Sequence, residues 1–184
     1  MRSYASVAFH VGDESTHLLF LSMKYLGLEH PLVTIVACLH GDELFGLTLF
    51  DFYKNRLAEL TGLALLIANE PAIAMNTRFI QTDLNRSFPG NPEGSQEERL
   101  AVDLLDRVRL SRYVLDIHNT TTDIDAVAIV TNLSPETRAI VNLFPSKEIA
   151  LIEPPLAGHS LIGQLTGGVS LEFNHTFSKT QTAI

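Results

Sequence analysis

Two histidines at the ends of predicted strands are the residues of this sequence best suited to hold a metal ion. His40 follows residues 33–39, His118 follows residues 113–117, and Glu43 lies three residues after His40. That i, i+3 spacing puts His40 and Glu43 on one face of an opening helical turn. Together with a third ligand from another strand end, they would make the three-ligand set of catalytic zinc. The pair alone equally fits a loop histidine beside a carboxylate at a helix start.

A long irregular segment, residues 70–94, carries arginines beside hydrogen-bonding residues. It contains three prolines and two glycines, and Arg78 and Arg86 lie eight residues apart within it. A guanidinium makes forked hydrogen bonds to carboxylates, so the two arginines could clamp an anion. Local Asx turns in a solvated loop explain the composition equally well. A structureless loop of this length in a small domain is usually functional, or else its assignment as a loop is wrong.

One further carboxylate stands near the end of the sequence. Glu172 lies in the alternating segment 169–174. It either faces water on the polar side of a strand or faces a cleft. In a cleft, partial burial would suit it to proton transfer.

Alternating strands and helices predict an α/β fold that positions these residues. The predicted strands are residues 4–11, 32–39, 63–69, 113–118, 125–131, 149–152 and 169–173. The predicted helices are residues 15–25, 43–60 and 95–110, with a short one opening at Ser134-Pro135. Ser95 and Glu98 form a capping box for the third helix. This order predicts a mostly parallel sheet between helices, with chemistry at the carboxyl ends of its strands.

Composition places the chain among globular proteins and excludes some partners. The 184 residues are 46% hydrophobic and 18% charged, which fits one folded domain. The formal charge of −8 disfavours nucleic acid as a partner. A single cysteine, Cys38, and the lack of an apolar signal core favour a reducing compartment. No apolar stretch approaches the ~20 residues of a membrane span, so we expect a cytoplasmic protein without a membrane partner.

Five short strings, taken in order, resemble the succinylglutamate desuccinylase/aspartoacylase family of the zinc carboxypeptidase-like group. They are His40-Gly41-Asp42-Glu43, Asn76-Thr77-Arg78, Asp83-Leu84-Asn85-Arg86 with Phe88-Pro89-Gly90, Asp116-Ile117-His118-Asn119-Thr120-Thr121, and Leu171-Glu172. They span residues 40–172. The resemblance implies a zinc carboxypeptidase-like fold: a single three-layer α/β domain whose mixed, mostly parallel sheet is flanked by helices.

The resemblance also implies a metal site. His40, Glu43 and His118 are similar to the family's ligands for one zinc ion per chain. Asp83 is similar to the carboxylate that orients a ligand histidine, a common support for zinc.

For the substrate, the resemblance implies four further roles. Arg78 is similar to the arginine that polarises the scissile carbonyl, and Glu172 is similar to the general base. Asn85 and Arg86 are similar to the pair that grips the substrate's carboxylate.

The activity implied by the resemblance is zinc-dependent hydrolysis of an amide bond next to a carboxylate. The expected substrate is a small N-acyl amino acid or a short peptide. Alternatives are a small zinc carboxypeptidase acting on peptides, a metal-binding domain without catalysis, and a non-enzymatic interaction domain. Retention of Glu172 and Arg78 argues against the inactive form, since metal binding needs neither. A serine hydrolase is disfavoured, because residues 158–163 miss the G-x-S-x-G spacing by one position.

The length of the chain departs from the family's pattern. Family members carry an additional C-terminal β-rich domain that narrows the entrance to the site, whereas 184 − 172 = 12 residues follow Glu172 here. We therefore expect residues 1–184 to form a single catalytic domain without that addition. Substrate identity therefore does not carry over with the zinc site. The notion of an oligomer stays open, in which a second chain provides the wall of the site that the C-terminal domain provides in the family.

Overall fold

A seven-stranded mixed sheet runs through the part of the chain that the computed structural model describes, residues 23–56, 61–121, 123, 125–144, 148–153 and 156–174. Its strands are β1 (Lys24–Gly27), β2 (Val33–Ala37), β3 (Leu63–Ile67), β4 (Tyr113–Thr120), β5 (Ala126–Val130), β6 (Ile149–Leu151) and β7 (Gly168–Asn174). Their order is β1-β3-β2-β4-β7-β5-β6. Strands β3, β2, β4 and β7 run parallel, whereas β1 and β5 run antiparallel to their neighbours β3 and β7.

Three of the four helices in the described ranges begin at a capping side chain, whereas α1 begins after Leu44 without one. They are α1 (Phe45–Tyr53), α2 (Glu70–Ala74), α3 (Gln96–Val108) and α4 (Pro135–Leu143). Both halves of the predicted capping box are present, since Ser95 accepts from the Glu98 amide and Glu98 accepts from the Ser95 amide. Ser134 caps α4, and Pro135 occupies its first turn. No helix in the described ranges is both long and apolar enough to cross a bilayer.

Apolar clusters on both faces of the sheet make the three layers. On one face, Leu100 and Leu104 of α3 lie in a cluster with Val36 of β2. On the other face, Phe50 of α1 lies in a cluster with Ile117 of β4, joined by side chains of α4. Side chains alternate between the two faces of each strand. A strand that is apolar throughout therefore contributes side chains to both clusters. The predicted α/β fold with a mixed, mostly parallel sheet between helices is confirmed.

Three predicted elements differ from the structure. The end of the predicted helix over 15–25 is not helical: it belongs to β1, where Tyr25 pairs with Leu66 of β3. The rest of that helix and the predicted strand 4–11 lie outside the described residues. Helix α1 ends at Tyr53, well short of residue 60. Residues 70–94 contain α2, capped by Asn69, and a short 3-10 turn at Leu84–Arg86.

Cys38, directly after β2, is expected to be chemically inert in the folded protein. Its side chain is fully buried, and its Sγ lies 3.2 Å from the carbonyl oxygen of Glu43. Burial, with a smaller effect of the Glu43 charge, raises the pKa of the thiol to about 12. Only the thiolate reacts with disulfide reagents, so labelling at pH 8 should be about 100-fold slower in native than in guanidinium-unfolded protein. Equal rates would contradict the buried placement.

Candidate metal centre and active site

Three buried side chains meet at the carboxyl ends of the adjacent strands β2 and β4. His40 follows β2, Glu43 precedes α1, and His118 lies near the end of β4. Glu43 stands between the histidines, with Oε1 2.7 Å from His40 Nδ1 and Oε2 2.8 Å from His118 Nδ1. The candidate donor atoms all lie within 4.8 Å of one another. Two imidazoles and one carboxylate are the donor set of catalytic zinc, so these residues fit a divalent ion.

Two further carboxylates hold the outer nitrogens of the two histidines. Asp83 Oδ1 accepts from His40 Nε2 at 3.1 Å, and Asp116 Oδ2 accepts from His118 Nε2 at 2.9 Å. A proton fixed on Nε2 directs each Nδ1 lone pair toward the shared centre, which is how proteins orient metal-binding histidines. The structure thus brings Asp83 to the cluster that the sequence predicts.

Asp116 contacts the cluster through His118, and the sequence analysis gave it no role. It is fully buried, and it lies two positions before His118 in β4, on the same face of the sheet. That period-two spacing beside a candidate ligand is the signal that could have found it.

The carboxylates around the two histidines favour the protonated form of each imidazole. Burial opposes charge on His118, but the negative charge of Asp116 and hydrogen bonds to Asp116 and Glu43 raise its pKa well above the usual value. Hydrogen bonds to Asp83 and Glu43 likewise outweigh burial and raise the pKa of His40. The two histidines in turn hold the pKa of Glu43 far below its usual value, against the effect of burial. A bound cation would replace these protons, since metal binding to such groups releases them.

Arg78 lies at the rim of the cluster. Its Nη1 is 3.3 Å from Glu43 Oε1, and its Nη2 is 3.4 Å from Asp83 Oδ2. The side chain is 46% exposed, so part of the guanidinium faces solvent. Burial alone would raise the pKa of Asp83, yet its hydrogen bond to His40 and the charges of His40 and Arg78 hold it at about 2. Arg78 can therefore reach a polar group brought to the cluster from solvent.

Asn85 and Arg86 lie on the same loop but face different surroundings. Asn85 Oδ1 accepts from the Leu161 amide at 3.0 Å, and its Nδ2 is 3.4 Å from His118 Nε2. Arg86 is exposed and donates to the Asn85 carbonyl at 2.8 Å. Asn85 is thus fixed against the cluster, whereas Arg86 keeps most of its guanidinium available.

A cavity of about 390 Å³ lies beside Arg86. Its lining includes Asp83, Phe88 and His159. His159 Nδ1 donates to the Phe88 carbonyl at 2.9 Å, which fixes the ring at the cavity wall. His159 has no ligand spacing in the sequence, so only the folded chain associates it with Arg86.

Glu172 stands next to His118 across the sheet. Strands β4 and β7 are parallel, and His118 is in register with Glu172. Side chains in register on parallel neighbours point to the same face, so the Glu172 carboxyl is on the side of the cluster. The residue is half-buried, and burial raises its pKa above the usual value. A carboxylate of this kind is suited to accept and return a proton.

Comparison with known proteins gives one family and several relatives. Residues 29–144, more than half of the chain, match the succinylglutamate desuccinylase/aspartoacylase catalytic domain. An N-alpha-acetyl-L-2,4-diaminobutyric acid deacetylase from Halomonas elongata is 36% identical over 100 residues, which cover 50% of this chain and 29% of that protein. An aspartoacylase from Danio rerio is 25% identical over 167 residues, covering 82% of this chain and 51% of that protein. The chain spans about half or less of the length of these curated relatives.

Solved structures share the fold. An aspartoacylase family protein from Mesorhizobium loti is similar with a TM-score of 0.66 at 26% identity, covering 87% of this chain and 57% of that chain. Murine aminoacylase 3 is similar with a TM-score of 0.62 at 22% identity, covering 83% of this chain and 62% of that chain. At these identities the likeness establishes the architecture.

Proposed function

The chain belongs to the succinylglutamate desuccinylase/aspartoacylase family, and from this premise we propose that it is a zinc-dependent hydrolase that cleaves the amide bond of an N-acyl amino acid. The observation that carries the proposal is the buried cluster of His40, Glu43 and His118, with their donor atoms within 4.8 Å of one another. The named activities of the Halomonas elongata and Danio rerio relatives support an acylated amino acid as the substrate class.

The cluster would hold the zinc ion through the two Nδ1 atoms and the Glu43 carboxylate. Zinc supplies a Lewis acid for a carbonyl oxygen and lowers the pKa of water toward ~7. Asp83 and Asp116 support the site by keeping the Nε2 protons of the histidines in place.

The proton transfers fall to Glu172. Its raised pKa and its position beside His118 suit it to take a proton from the attacking water. The same carboxyl then returns the proton to the leaving amine. Arg78, half-exposed at the rim, donates to the oxygen on which negative charge develops, a contact worth about 3 kcal/mol per donor.

Asn85 and Arg86 bind the carboxylate of the amino acid released. Arg86 is exposed and lines the cavity of about 390 Å³, which gives the carboxylate a place to enter. Asn85, which accepts from the Leu161 amide and lies 3.4 Å from His118 Nε2, would contact the carboxylate from the side of the metal cluster.

Turnover with and without a chelator tests the proposal directly. Zinc-loaded protein should hydrolyse N-acyl amino acids, and removing the metal should abolish the activity. Cleavage of short peptides in preference to N-acyl amino acids would make the protein a small carboxypeptidase. Stoichiometric metal without any turnover would make it a metal-binding domain and contradict the proposal.

Substrate choice gives a second test. Amidating the substrate carboxylate should lower kcat/KM at least about tenfold, because a forked arginine–carboxylate contact is a charge-assisted bond. Arg86→Ala should remove most of this discrimination. Arg109→Ala is the matched control, since Arg109 forms an exposed ion pair with Asp106 at the end of α3. An enzyme that ignores amidation yet discriminates sharply among acyl groups would refute this assignment of the loop.

A further inference from the structure

Glu97, a fully buried glutamate, has no part in the proposed proton transfers, yet it contacts the loop that carries Arg78 and Asp83. The residue is 0% exposed and lies in the first turn of α3. Its Oε1 accepts from the Ile80 amide at 2.7 Å. Its Oε2 accepts from the amides of Gln81 and Thr82, at 3.1 and 3.2 Å. One carboxylate therefore binds three consecutive backbone amides.

This arrangement explains how a charge can be buried here. An ionised carboxylate is costly to bury unless hydrogen bonds compensate it. Three charge-assisted bonds do so for Glu97, and the positive end of the α3 dipole adds to them. Since all three donors must point at one group, the backbone of residues 80–82 is restricted to a narrow range of conformations.

Other contacts tie the same loop to the start of α3. The Gln96 amide donates to Gln81 Oε1 at 2.6 Å, and the hydroxyls of Thr82 and Ser95 lie 2.9 Å apart. On the opposite side, the Gly41 amide donates to the Arg78 carbonyl at 3.1 Å. The loop is thereby fixed between α3 and the chain that bears His40.

Arg78 and Asp83, close to the bound amides on either side in the sequence, both contact the metal cluster. Arg78 lies 3.3 Å from Glu43, and Asp83 lies 3.1 Å from His40 Nε2. Any change in the path of residues 80–82 must move one or both of them. A displacement of about 1 Å in a catalytic group can cost about 10²-fold in rate.

We propose that Glu97 is a positioning residue, which sets the placement of Arg78 and Asp83 over the metal cluster through the backbone of residues 80–82. Its effect on turnover rests on the proposed hydrolase function. Its effect on the loop does not, because the hydrogen bonds join only Glu97 and the backbone of the loop.

Amide hydrogen exchange on the metal-free protein tests the effect on the loop. Glu97→Gln keeps the shape of the side chain, but its NH2 group must face at least one backbone donor. Exchange at residues 80–82 should quicken by about tenfold or more. Glu98→Gln is the matched control, since the Glu98 carboxylate accepts from the Ser95 amide of the capping box, whereas the amides of residues 80–82 donate to Glu97. It weakens the start of the same helix, and exchange at 80–82 should change less than about twofold.

Steady-state kinetics on the zinc-loaded protein test the effect on catalysis. Glu97→Gln should lower kcat at least about tenfold, change KM less than about threefold and leave metal content unaltered. In an Arg78→Ala background, Glu97→Gln should lower kcat little further, because the arginine side chain that Glu97 places is already absent. A purely structural role predicts losses that multiply in the double variant.

The outcomes distinguish the positioning role of Glu97 from the proposed hydrolase function. Equal exchange at residues 80–82 in the Glu97→Gln and Glu98→Gln variants would overturn the positioning role whatever the activity. Independent, multiplying losses of kcat with Arg78→Ala would overturn it as well. A native protein without turnover would count against the proposed function, while the exchange comparison would still decide the role of Glu97.

Discussion

Replacing His118 with alanine should reduce bound zinc from one per chain to nearly none and abolish metal-dependent hydrolysis. The substitution removes one of three protein donors, and two donors hold zinc poorly. It also leaves the fully buried Asp116 carboxylate without its imidazole partner, which adds a cost in folding stability. Metal content after dialysis, measured by elemental analysis, checks the first effect, and thermal unfolding of the metal-free variant checks the second.

Two companion variants make the His118 result specific. His30→Ala removes an exposed histidine outside the cluster and should leave metal content unchanged. Asp116→Asn keeps all three donors but loses the carboxylate on His118 Nε2, so metal affinity should fall by about 10- to 100-fold. Full zinc occupancy in His118→Ala, or loss of zinc in His30→Ala, would place the metal elsewhere.

Glu172→Gln should lower kcat by about 10²–10⁴ and leave the metal bound, the usual size of effect for a general acid–base group. Glutamine keeps the shape of the side chain but cannot take a proton from water. Because Glu172 lies beside the cluster and is not one of its three donors, metal content should match that of the native protein. Steady-state kinetics with parallel metal analysis measures both.

The control for Glu172 is another carboxylate-to-amide change at a distance from the cluster. Glu136, in the first turn of α4, accepts a hydrogen bond from Arg112, and Glu136→Gln should retain native kcat. Full activity in Glu172→Gln would assign proton transfer to another group. Loss of metal from that variant would make Glu172 a ligand and change the proposed roles.

Hydrophobic patterning was sufficient to predict most of the central sheet. The apolar, β-branched run before His40 forms β2, and the run before Asn69 forms β3, because both faces of these strands are covered by helices. The Ser95–Glu98 capping box marks the start of α3, since that signal is local. The segment at Tyr25 was predicted as helix and is a strand, because its pairing partner β3 lies about forty residues further along the chain.

The sequence by itself determined which residues could bind a metal and move protons. The histidines His40 and His118 at strand ends, with Glu43 at helical spacing, indicate a metal site. The five ordered strings identify the family. The supporting residues were decided only by the tertiary structure. Asp116 acquires its role because it is buried against His118. Glu97 acquires its role because the fold brings α3 to backbone amides that lie 15 to 17 residues earlier in the chain. Such roles depend on burial and on long-range hydrogen bonds, which residue type and local spacing do not encode.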